Sequence, residues 1–131
     1  MLLELKNNDD LAAARQGFKP PEEVREIELD GWVDTGAAQL VLPKAVTDAL
    51  GVPEVGEANV RFADGRRAVR PVVDNVWLRM NGRNGVFKAI VEPDRDDALI
   101  GAIVLETLDM VADPVGGTCH PREADRILAE M

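Results

Sequence analysis

Apolar and polar positions alternate in short runs along most of this chain, and only brief stretches carry a helical period. That pattern predicts a mainly β fold with one or two short helices. Leu2 to Lys6 alternates loosely as a first strand, and Arg25-Glu26-Ile27-Glu28-Leu29 alternates as a second. Between them, Asn7-Asn8-Asp9-Asp10 reads as a turn or a helix cap ahead of Leu11 to Gln16, with Gly17 as the stop. Lys19-Pro20-Pro21-Glu22-Glu23 forms a rigid connector. Pro43 to Gly51 has proline in its first turn and glycine just past its last, with Val46, Ala49 and Leu50 on one face. That punctuation predicts a short amphipathic helix packed on sheet.

From Asn59 onward the chain reads as β structure. Val60-Arg61-Phe62-Ala63 and Arg67-Ala68-Val69-Arg70 flank Asp64-Gly65, a strong hairpin signal. Val73 to Met80 and Val86 to Val91 are joined by Asn81-Gly82-Arg83-Asn84-Gly85, which supplies the left-handed positions of a second hairpin. Met80 and Trp77 read as core or sheet surface. An acidic loop, Glu92 to Asp97, leads into Ala98-Leu99-Ile100-Gly101 and a further short helix at Ile103 to Leu108. Val111 to Val115 reads as a closing strand, and Pro121 to Met131 as an amphipathic tail with the character of a terminal helix.

The chain has 131 residues, 46% of them apolar, which fits a single domain with one modest core. No apolar run approaches the ~20 residues of a membrane span, and charge interrupts the first six residues too early for a secretory signal. A cytoplasmic location is the expectation. The net charge of −9 argues against a nucleic-acid backbone or an anionic membrane as partner. Arg61, Arg66, Arg67 and Arg70 nevertheless cluster in one hairpin, where they form a solvated surface or meet a ligand. With Cys119 the one cysteine, there is neither an intrachain disulfide nor a cysteine-based zinc cluster, and the thiol reads as buried or idle. His120 stands alone and reads as surface or cap. Asp96 and Asp97 lack a third ligand at loop spacing, so a solvated turn is expected in place of a metal site. No metal or cofactor is expected anywhere.

The candidate chemistry lies in Val33-Asp34-Thr35-Gly36-Ala37, a tight loop between two strand-like pieces. Asp, Thr and Gly are ordinary turn formers, so the loop alone is compatible with a plain turn. A carboxylate at the end of a strand that enters a core is expensive unless it has a task or a partner.

Asp34-Thr35-Gly36-Ala37, the hairpin Phe62-Ala63-Asp64-Gly65-Arg66, and Leu99-Ile100-Gly101 followed by Val104-Leu105-Glu106-Thr107-Leu108 occur here in that order. In this respect the chain resembles the retroviral-type, retropepsin-like aspartic proteases, and especially their small single-domain bacterial-type members. The likeness runs from about residue 24 to residue 115. It implies an N-terminal strand and connector over 1–23, a protease core over 24–115 and a tail over 116–131. It further implies the half-barrel of the acid proteases, completed as a C2 homodimer.

The resemblance assigns roles. Asp34 is implied as the catalytic carboxylate, Thr35 as a hydroxyl reaching the partner's loop, and Gly36 as a point of close backbone approach. Ala37, Ala63, Asp64, Gly65 and Arg66 are implied to contact a peptide or protein substrate, with the hairpin closing over it as a flap. Leu99, Ile100 and Gly101 are implied to support the Asp34 loop. Two departures stand out. Viral members commonly carry Asp soon after the triplet and Arg after the later Gly, where this chain has Ala38 and Ala102. The activity implied is that of an aspartic endopeptidase. The alternative is a dimer of the same fold that binds protein or peptide and cuts little or nothing. A phosphate loop of an actin-like ATPase would need two domains and far more chain.

Overall fold

The computed structural model describes residues 1–122. Nine strands and three α-helices follow one another with short connections. They are β1 (Leu2–Asn7), α1 (Asn8–Arg15), β2 (Glu26–Val33), β3 (Leu40–Pro43), α2 (Lys44–Leu50), β4 (Glu54–Arg61), β5 (Arg67–Met80), β6 (Arg83–Glu92), β7 (Ala98–Ile100), α3 (Ala102–Leu108), β8 (Met110–Asp113) and β9 (Thr118–Pro121). A single 3-10 turn, Pro21–Glu23, lies in the proline connector. The fold is mainly β with short helices, as the alternation predicts.

Seven strands form one sheet in the order β1-β2-β7-β3-β6-β5-β4. The sheet closes on itself because β1 also pairs antiparallel with β5, Leu5 opposite Leu78. Six strands therefore make a barrel, and β4 is left as an edge strand hydrogen-bonded to β5 alone. Closure removes edges that would otherwise template aggregation. Over Glu4 to Lys6 both edges of β1 are consumed in this way.

Inward-pointing side chains fill the barrel. Leu3, Leu5, Leu40, Leu42, Leu78 and Ile100 have no exposed surface, and in β1 Leu3 and Leu5 alternate with more exposed neighbours as a half-buried strand requires. Leu50, equally buried, docks α2 on the core, and Gly51 ends that helix at φ +66°.

Several sequence expectations change in detail. The stretches 67–70 and 73–80 belong to one strand, β5, whose register shifts between Val73 and Val76. Asn75 sits at that bulge with φ +60°, a conformation Asn tolerates better than most residues, so the extra residue is absorbed without ending the strand. Strand β4 begins at Glu54, five residues before the expected start. The closing strand β8 pairs not with the barrel but with β9, Ala112 opposite Cys119. The sequence predicts a helical tail from Pro121, yet Pro121 closes β9 and Arg122 lies outside any regular element; positions 123–131 of that tail lie outside the described residues. Cys119 is buried, and burial pushes its thiol up, as an unreactive structural cysteine requires.

Candidate active site

The Asp34 loop is shaped by sheet order. Strand β7 lies between β2 and β3, parallel to the first and antiparallel to the second, with Ile100 opposite both Val33 and Leu40. The connection from β2 to β3, residues 34–39, must therefore cross the end of β7. It is fastened there by backbone: Asp34 N–H donates to the Ile100 carbonyl at 3.0 Å, Ala102 N–H to Ala37 O at 2.8 Å, and Ile103 N–H to Ala38 O at 3.0 Å. A Cβ on Gly101 would overlap the Gln39 backbone and the Ala38 carbonyl carbon, so the crossing requires glycine at that position. From the other side, Val33 N–H donates to Gly117 O at 2.8 Å, which ties the β8–β9 hairpin to the strand that delivers Asp34.

On this rigid platform the Asp34 side chain is exposed. Gly36 N–H donates to its Oδ1 at 2.9 Å, closing an Asx turn within the loop. No cation among the described residues pairs with it. Thr35 and Gly36 are exposed beside it, and Ala37 is half-buried.

A cleft of about 350 Å³ opens next to the loop. Gly36, Ala37 and Gln39 form one wall, and Val60, Arg61 and Phe62 of the β4–β5 hairpin form another. Its floor is apolar, from Val41, Ile90 and Leu99, with Glu92 and Arg95 at one end. Glu92 is nearly buried and holds the Arg70 guanidinium, whose Nε lies 3.0 Å from both carboxylate oxygens. Arg95 is engaged by the Asp97 carboxylate at 2.7 Å. Arg70 and Arg66 also stack on the Phe62 ring, at 5.7 and 5.0 Å from its centre.

The hairpin tip is tied to itself. Arg66 donates its backbone N–H to Asp64 Oδ1 at 3.0 Å and its Nε to Oδ2 at 2.6 Å; these bonds, the backbone one foremost, lower the Asp64 carboxyl below its ordinary value. Gly65 takes φ +86° at the turn.

Of the residues singled out from sequence, Asp34, Thr35, Gly36, Ala37, Leu99, Ile100 and Gly101 are brought together around the crossing. Ala63, Asp64, Gly65 and Arg66 sit at the hairpin tip and are not among the residues lining the cleft. The hairpin meets it instead through Val60, Arg61 and Phe62. Glu92 and Arg95 gave no usable signal in sequence, because their place at the cleft follows from β6 running beside β3. Among the described residues no group of three or more His, Cys, Asp or Glu side chains could hold a metal ion. Likewise no helix there is long and apolar enough to cross a membrane.

No protein-family profile matches the sequence, and no curated protein matches it. Among solved structures the chain is similar to the foamy viral protease-reverse transcriptase in complex with an RNA/DNA hybrid, with a TM-score of 0.51 and 22% identity. The match covers 61% of this chain and 10% of that one, so the chain spans about a tenth of the viral protein's length. At that identity the likeness is one of fold alone, the β-barrel described above.

Proposed function

We propose that this protein is an aspartic endopeptidase whose site is completed by a second copy of the chain. The observation that carries the reading is Asp34 itself. Its carboxylate is exposed just past the end of β2, fixed by backbone on a loop that only Gly101 lets pass, and no cation among the described residues neutralises it. The cleft lined by Gly36, Ala37 and Gln39 of the same loop has an apolar floor, suited to the side chains of an extended peptide.

One carboxylate is not enough for peptide hydrolysis by this route. A two-fold axis near the loop would set Asp34 against its own copy. Two carboxylates that close cannot both ionise cheaply, so they share a proton. The ionised member takes a proton from water as the water oxygen bonds to the scissile carbonyl carbon. The protonated member gives its proton to the carbonyl oxygen. The resulting gem-diol collapses, a proton passes to the amide nitrogen, and the C–N bond breaks to give acid and amine.

The test uses a mixed peptide pool, with cut sites read by mass spectrometry. Cleavage per chain should rise with protein concentration as dimers form, and Asp34→Asn should remove it while sedimentation of the dimer is unchanged. Equal cleavage by the variant, or a strictly monomeric active species, overturns the reading. A chain that binds peptides and cuts none would instead be a silent binding module of the same fold.

A further inference from the structure

The β4–β5 hairpin stands off the barrel. Strand β5 pairs with β6 from Met80 back to Val72, opposite Ile90, and no further. Pro71 marks the point of parting, and it has no N–H to give to either neighbouring strand. From Pro71 around the tip to Glu57, the two arms pair with one another and with no third strand among the described residues. The overhang is roughly 20 Å long at the rise of a strand.

One polar contact joins this overhang to the rest of the described residues. Arg70 Nε donates to both carboxylate oxygens of Glu92, at 3.0 Å each. The other hydrogen bonds and the other ion pair of residues 57–71 stay within the hairpin. The Arg70 and Glu92 side chains are 22% and 11% exposed, so water competes little for a charge-assisted bond. Arg70 also lies on the face of the hairpin that meets the cleft. It is opposite Ala58 in the ladder, and alternation carries that face on to Val60 and Phe62, which both line the cleft. Its guanidinium is 5.7 Å from the centre of the Phe62 ring. Glu92, two residues beyond the floor residue Ile90 on β6, lines the cleft as well. A single side chain thus touches the wall and grips the strand that supplies the floor.

We propose that Arg70 and Glu92 are positioning residues, whose ion pair fixes the hairpin at the height where Val60 and Phe62 meet a peptide lying on Val41, Ile90 and Leu99. A two-stranded ribbon beyond the edge of its sheet is marginal by itself. Released from Glu92 it swings, and the wall must be ordered again each time a peptide binds, which weakens binding. The peptide's place rests on the endopeptidase reading, whereas the state of the hairpin is measured without turnover.

The experiment compares the full chain with Arg70→Gln, Glu92→Gln and the double variant. The double variant strands no charge and should melt close to the parent, which separates release of the hairpin from loss of fold. Amide hydrogen exchange without peptide should quicken at least tenfold at residues 57–61 and 67–70, and stay within twofold in β1, β3 and β6. Binding of an end-capped fluorescent octapeptide with an apolar central pair, followed by anisotropy in the Asp34→Asn background, should weaken about tenfold, as for loss of one charge-assisted bond. Both singles and the double should lose the same amount, because each breaks the same tie. With Asp34 intact, KM should rise about tenfold while kcat stays within twofold, since the wall is in place once peptide is bound. Exchange that quickens evenly through the barrel, a released hairpin that binds peptide as the parent does, no peptide binding by the parent, or losses that add in the double variant overturns the proposal. If hairpin exchange and binding respond as described but no peptide is ever cut, the positioning role stands and the endopeptidase reading fails. If the parent cuts peptides and the variants leave both exchange and KM unmoved, the reverse holds.

Discussion

Two aspartates in this chain are treated in opposite ways. Asp10, at the start of α1, is nearly sealed from solvent and saturated with partners. Its Oδ1 accepts from Lys19 Nζ at 2.8 Å and Arg25 Nη2 at 3.1 Å, and its Oδ2 from Arg25 Nε at 2.8 Å and the Arg25 backbone N–H at 3.1 Å. Asn7 caps the same turn, accepting from Asp10 N–H at 3.0 Å and donating to Leu50 O at 2.9 Å. Asp34 has one backbone N–H and open solvent. The first carboxylate ties α1 to the segment entering β2, and Asn7 beside it joins the same turn to β1 and the end of α2. The second is held in place by the backbone beneath it while its charge is left unspent. A fold that satisfies one acid so fully and leaves another bare on a rigid loop has separated holding from doing.

The comparison can be broken most sharply by removing one charge at a time. Asp34→Asn keeps an acceptor for Gly36 N–H, so the loop persists; cleavage should fall by about a thousandfold or more, as expected for loss of an essential acid–base group. Its urea midpoint should stay close to the parent's. A large loss of stability would show that Asp34 is structural after all. Gly101→Ala should fail differently. The added Cβ meets backbone, which cannot swing aside as a side chain can, so the crossing must shift. A cost of roughly 3 kcal/mol is expected from urea unfolding, with cleavage lost alongside. Undiminished activity in a stable Gly101→Ala chain would show that the crossing is not what positions Asp34.

How much of this was legible in the sequence depends on how local the cause is. Asp34-Thr35-Gly36, Asp64-Gly65 and the Pro43-to-Gly51 helix carry their turn chemistry within a few residues, and each forms where expected. The importance of Gly101 was suggested by resemblance and becomes physical only when β7 is seen to lie beneath the crossing. Barrel closure was not legible, because alternation says which face of β1 is buried but not that Leu5 will lie opposite Leu78. Strand β5 was read as two pieces since Asp74-Asn75 looks like a turn, and only the bulge absorbs it. The tail was read as helix at Pro121 because the partner strand of β9, which overrides that preference, is defined by tertiary contact. The charged end of the cleft is illegible for the same reason: Glu92 looks like the first residue of a solvated acidic loop until Arg70 is placed against it.

The smaller effects test the other side of the comparison. Asp10→Asn should leave cleavage intact and cost about 2 kcal/mol, less than a fully buried pair because Arg25 keeps half its side chain in water and can be solvated when released. The dependence on pH is sharper than the size. Hydrogen bonding from the Arg25 side chain, opposed by burial and aided by Lys19, holds the Asp10 carboxyl far below the usual carboxylate range. A group depressed in the folded state contributes its full stabilisation above its unfolded value, near ~4, and loses it as pH falls toward the folded one. The stability difference between parent and Asp10→Asn should thus be flat from about pH 5 upward and shrink steadily below about pH 4. Urea titrations at pH 6, 4 and 3 measure it directly. A gap that stays constant down to pH 3 would mean that Asp10 is no more acidic in the folded chain than in the unfolded one, and the contrast with Asp34 would then rest on packing and not on charge.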